Sequence, residues 1–122
     1  MEVIDPGHFY ALASLDGNDE VEWLQFVKRE GEGYPGNVGH HPGTIIQEVL
    51  RACIDRVKYV DNQIPDERNR PVIDSLRTAL YYLEVRAAER HGKKLPEDLN
   101  FHKIEELPVG KNGHFLCGAG AE

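Results

Sequence analysis

The chain has 122 residues, 40% of them hydrophobic and 29% charged, and its 21 acidic against 14 basic side chains give a formal net charge of −7. That length supports one core burying roughly 65% of the unfolded surface. The apolar share excludes a disordered chain, and the acidic balance argues against binding along a nucleic-acid backbone, which needs a broad basic surface.

The first residues, Met1 to Pro6, have neither the basic flank nor the apolar stretch of a signal peptide, and no apolar run reaches the ~20 residues of a membrane span. An intracellular protein with reduced thiols is expected, because Cys53 and Cys117 make neither a disulfide framework nor a zinc cluster. Residues 8–15 and 21–29 are rich in strand formers and flank Asp16-Gly17-Asn18-Asp19, whose residue types tolerate positive φ. This pattern predicts a β-hairpin, with Leu24 and Phe26 on one face of the second strand and Trp23 on the other, toward a second subunit or another part of the sheet.

Between Glu30 and Thr44 the sequence carries five glycines, Gly31, Gly33, Gly36, Gly39 and Gly43, with two prolines and the pair His40-His41. No period runs through it. From Thr44 onward, Ile46, Leu50, Cys53, Val57, Val60 and Ile64 form one helical stripe, and Thr44 with Gln47 has the spacing of a capping box. Ile45, Val49 and Ala52 widen the apolar surface beyond what one partner helix covers, so a sheet or a second subunit should meet the excess. Pro65 ends this helix. A second begins at Asn69, a predicted N-cap with Pro71 in the first turn, and places Ile73, Leu76, Leu80, Leu83 and Ala87 on its inner face before Gly92 stops it. Two helices of about 20 residues, each about 30 Å long, make an antiparallel hairpin. In the tail, Leu99 to Ile104 predicts a strand, and Gly110 to Gly113 a turn into His114 to Cys117. The fold class is therefore α+β: an N-terminal antiparallel β-hairpin or sheet packed with a long αα-hairpin, followed by a short β-rich segment. A single domain spans 1–122, divided into hairpin 1–30, glycine-rich loop 31–43, helical hairpin 44–92 and tail 93–122.

A loop this long in a compact domain favours function over mere connection. Its glycines allow backbone to approach a ligand, and the amides at the following helix start suit a phosphate or carboxylate. Tyr34 can stack on a base, Asn37 can read its polar edge, and Arg29, His40 or His41 can meet charge. The same glycines would equally serve a plain surface crossover. Neither common phosphate-binding glycine fingerprint is present. Adjacent histidines without a cysteine or carboxylate at ligand spacing are no metal site, Cys53 sits on the expected core stripe, and Glu105-Glu106 reads as solvated surface rather than an acid/base couple. No catalytic set, metal or cofactor is expected.

Several stretches carry a resemblance: Phe26-Val27-Lys28-Arg29, Tyr34-Pro35-Gly36-Asn37, Gly43-Thr44 with Gln47 to Arg51, Ile54-Asp55-Arg56, and Asn69 with Leu76-Arg77, Ala79-Leu80, Leu83-Glu84 and Arg86. Over roughly residues 8 to 92 the chain resembles the phage anti-Thoeris sponge proteins, whose helical hairpin is shared with anti-CBASS sponges. The resemblance implies a non-enzymatic protein that sequesters cyclic ADP-ribose isomers made by defence enzymes in the cytoplasm of the infected bacterial host. It further implies a homo-oligomer, a dimer or a hexamer of dimers, and a second ligand class of cyclic di- or trinucleotides. The expected ligand contacts rest on loop chemistry: Arg29, Tyr34, Gly36, Asn37, His41 and Thr44, with Phe101 added from the tail. The competing reading is a helical-hairpin adaptor for a host or phage protein, and a third is a small nucleotide-processing enzyme.

Overall fold

The computed structural model describes residues 1–29 and 40–110. The chain forms an α+β fold of two compact units, Met1–Ile45 and Ile46–Glu122.

In the first unit, β1 (Glu2–Asp5), β2 (Phe9–Ala13) and β3 (Val21–Gln25) form an antiparallel sheet in the order β1-β2-β3. The predicted hairpin is β2 and β3. Its turn forms as the sequence implies, with Asp16, Asn18 and Asp19 at φ 61°, 51° and 70°, a region that short polar side chains tolerate better than others. β1 is an addition to the expected hairpin. Pro6 and Gly7 turn the chain back, Gly7 at φ 82°, and the β1–β2 register slips between Val3 and Asp5. Trp23 lies opposite Ala11 and stacks on the Phe9 ring, centroids 5.0 Å apart. Of the two partners considered for Trp23, the sheet itself supplies one, yet the indole remains 60% exposed.

The second unit is a helical hairpin of α1 (Ile46–Gln63) and α2 (Asn69–Arg90), closed by a short 3-10 helix (Phe101–Glu106). Its centre is Ile54, Leu80 and Ile104, each fully buried, with Leu50, Ile73, Leu76, Leu99 and Leu107 around them. Leu80 and Ala87 are buried as the α2 stripe predicts. The α1 stripe is rotated from its predicted position: Cys53 is exposed, Ile46 and Ile64 are 47% and 79% exposed, and Ile54 is the buried residue. The cause is polar. Gln47 is buried and its Nε2 donates to Glu84 Oε1 at 3.5 Å, while Arg51 Nη2 donates to Glu84 Oε2. These residues occupy the inward side of α1 that an apolar count leaves out.

Two cap assignments also change. The Thr44 amide donates to the Gln25 carbonyl at 2.9 Å, so the reciprocal half of the predicted Thr44–Gln47 capping box is already taken by strand backbone. Asn69 is the first residue of α2 and Arg68 its cap. The Asn69 side chain instead donates through Nδ2 to Asp61 Oδ1 at 2.8 Å, joining the end of α1 to the start of α2. Gly92, at φ 67°, stops α2 as expected. The strand predicted over Leu99–Ile104 is the 3-10 helix. Asn100 Oδ1 accepts from the His102 amide at 3.0 Å and starts the turn, and burial of Ile104 against Ile54 and Leu80 holds it. The turn and strand expected after Gly110, with Cys117, lie outside the described residues.

Candidate functional site

The strands on either side of the glycine-rich segment meet. β4 (Lys28–Arg29) pairs antiparallel with β5 (His40–His41), with Lys28 opposite His41 and Arg29 opposite His40. This short ladder is a stem that brings together the two points where the chain enters and leaves residues 30–39. All four of its positions hold basic or titratable residue types, in a chain whose net charge is −7. Each strand of this ladder is only two residues long, so the stem needs other support.

That support is backbone and acid. The Val27 amide donates to the Thr44 carbonyl and the Thr44 amide to the Gln25 carbonyl, each at 2.9 Å. Gln25 Nε2 donates to the Pro42 carbonyl at 3.0 Å. Gly43 makes the approach possible, since a Cβ there would lie 2.3 Å from the Phe26 carbonyl carbon and 2.5 Å from the Val27 nitrogen. Such a contact is closer than any side chain survives. Lys28 Nζ donates to Asp5 Oδ2 at 3.1 Å, tying the stem to β1. The His41 side chain is exposed.

Of the expected ligand residues, Arg29, His41 and Thr44 are therefore brought to one end of the first unit. Tyr34, Gly36 and Asn37 lie outside the described residues. Phe101 belongs to the second unit, where it touches Tyr81 with ring centroids 6.4 Å apart. Sequence reasoning passed over Lys28 as a stem residue and Gly43 as a backbone contact.

Among the described residues, no group of three His, Cys, Asp or Glu side chains stands together as a metal set, and no helix is long and apolar enough to cross a membrane. In the second unit several charged groups pair with one another. Glu105 accepts from Arg77 Nε and Nη2 at 2.9 and 2.8 Å and from Lys58 at 3.4 Å. Burial pushes the Glu105 carboxyl upward, and the bonds from Arg77, a backbone amide and Lys58 outweigh it, leaving it below the ordinary glutamate value. The Glu84 carboxyl is raised, because burial there prevails over Arg51 and Gln47. Set against known proteins, the chain matches no family model, no curated protein and no solved structure.

Proposed function

We propose that the protein is a non-enzymatic sponge that binds a cyclic ADP-ribose-type immune signal in its glycine-rich loop and so inhibits a bacterial anti-phage defence. The observation that carries this reading is the closure of residues 30–39 by a stem whose four positions, Lys28, Arg29, His40 and His41, are all of basic type. Two cationic residue types, Lys28 and Arg29, stand there beside two histidines, and a bound pyrophosphate finds charge-assisted hydrogen bonds with groups of that kind. The resemblance to the anti-Thoeris sponge proteins supports the same ligand class. In this proposal the protein acts in the cytoplasm of the infected host as a homo-oligomer, to which the exposed Ile46, Val72 and Ile64 of the helical unit offer apolar surface.

The test is calorimetry with cyclic ADP-ribose isomers, followed by heat denaturation and mass spectrometry of the released ligand. Wild type should bind, return the ligand intact, and lose about tenfold or more in affinity on Arg29→Glu, the scale of one charge-assisted contact. A linear or otherwise altered product would make the protein an enzyme. Unchanged affinity in Arg29→Glu, or no binding of any isomer, would remove the stem from the reading.

A further inference from the structure

The three-stranded sheet has two outer edges, and they differ. The edge at β1 is irregular, since the β1–β2 register slips between Val3 and Asp5, and an irregularity of that kind spoils an edge for further pairing. β3 is regular, with Val21 to Gln25 in unbroken register with β2. Its outer edge is a template for another strand.

Which backbone groups face that edge follows from the bonds already made. The Phe26 amide donates to the His8 carbonyl at 2.7 Å, so Phe26 and, by the alternation of an antiparallel ladder, Leu24 and Glu22 turn their amides and carbonyls toward β2. Val21, Trp23 and Gln25 turn theirs outward. The Gln25 carbonyl accordingly accepts from the Thr44 amide at 2.9 Å, beside a parallel bridge between Phe26 and Thr44. The edge thus already holds an added backbone segment at its Gln25 end. Among the described residues, no strand pairs with it at Val21 and Trp23.

The side chains define what fits there. Val21 and Trp23 share one face of β3 and are 37% and 60% exposed. Glu22 belongs to the opposite face, and both it and Glu20, just before the strand, are exposed. Lysine and arginine do not occur in residues 1–27, whereas Asp16, Asp19, Glu20 and Glu22 crowd the turn and the strand. The formal charge at this edge is of one sign. A second copy of the chain fits it poorly: antiparallel pairing centred on Glu22 sets that residue against itself, like charge on like, and pairing centred on Trp23 needs the Gln25 carbonyl that Thr44 holds. A strand of opposite charge meets neither obstacle. We propose that the outer edge of β3 binds an extended segment of a partner protein in which basic and apolar residues alternate, adding it to the sheet as a further strand. The amides and carbonyls of Val21 and Trp23 bond its backbone, its apolar side chains lie with Val21 and Trp23, and its basic ones with Glu22. The chain reaches the loop stem from the other end of β3, and the inference does not rest on the nucleotide reading.

The experiment titrates the full-length protein with a capped peptide of alternating lysine and valine, about six residues long, the ordinary length of a strand. Trp23 is the single tryptophan of the chain, so its fluorescence reports on this surface. Emission should move to shorter wavelength on binding, and hydrogen exchange at the Val21 and Trp23 amides should slow. Methylating alternate backbone amides of the peptide on its pairing edge removes hydrogen bonds and keeps the charge; it should cost about tenfold or more in affinity. Glu20→Lys with Glu22→Lys should cost about tenfold as well, and should confer binding of a glutamate–valine peptide that wild type rejects, a gain that a damaged fold would not produce. Equal affinity for the methylated peptide would reduce the effect to attraction between charges and overturn the proposal. No binding, or Val21 and Trp23 amides already protected by self-association without peptide, would overturn it too.

Discussion

The two units hold themselves together by different means. The helical unit buries three large aliphatic side chains completely and sets charged groups between its helices, Glu84 with Arg51 and Arg77 with Glu105. In the described part of the sheet unit the buried core residue is Ala11, and order comes from ladder bonds, the backbone contacts at Gly43 and one stacked ring pair. Side-chain packing defines one unit and backbone geometry the other. A unit built on backbone geometry can place varied side chains at its rim, whereas one built on a buried polar seam tolerates little change along that seam.

The largest effect should come from the seam. Glu84→Ala removes one member of a buried pair and leaves Arg51, whose side chain is only 11% exposed, without its nearest acid; the expected loss is about 3–5 kcal/mol. Urea unfolding measures it. Replacing both partners by apolar residues should recover most of that loss, and if it does not, the pair contributes more than charge matching. In the sheet unit, Gly43→Ala forces a methyl group onto the Phe26 and Val27 backbone, and a loss of about 1–3 kcal/mol is expected from overpacking. Hydrogen exchange should localise the damage to Val27 and Thr44, whose amides make the affected bonds. Protection unchanged at both would show that the strand ends hold without the close approach.

Trp23→Ala should cost less. The indole is 60% exposed, so the main loss is its contact with Phe9, about 0.5–1.5 kcal/mol beyond the area term. A loss equal to that of Glu84→Ala would mean that the sheet unit is governed by side chains after all. The smallest effect concerns acid. Glu105 sits below the ordinary glutamate value in the folded chain, so its contribution is present above the unfolded value of about 4.3 and fades as pH falls through the folded value. Glu84 is raised; its contribution has the opposite sign, being greatest at low pH and lost as pH rises through its folded value. The stability gap between wild type and Glu105→Gln should therefore narrow on going from neutral pH to about pH 3. A gap that stays constant would remove the Arg77 and Lys58 bonds from the account.

The sequence was informative where apolar periodicity and turn chemistry agree. The helical hairpin, the positions of Leu80 and Ala87, the Gly92 stop and the Asp16–Asp19 turn all follow from residues near in sequence. The seam did not follow, because Gln47, Arg51, Arg77 and Glu84 are polar residues that are buried only when two helices bring their partners. Cys53 was assigned inward for the same reason. The 3-10 helix was read as a strand because Ile104 is buried by residues far earlier in the chain. At the candidate site, residue types suggested charge near the loop, whereas the pairing of Lys28 with His41 required the tertiary structure.

Closure of the loop by its own ladder has a consequence for how such a protein changes over generations. Residues 30–39 leave and re-enter the unit through adjacent positions, so a longer or shorter loop does not alter the distance the rest of the chain must span. Each doubling of loop length costs only about 0.6 kcal/mol in closure entropy. Insertions, deletions and wholesale exchange between Arg29 and His40 are therefore open to selection at little expense in folding, while the stem stays as it is.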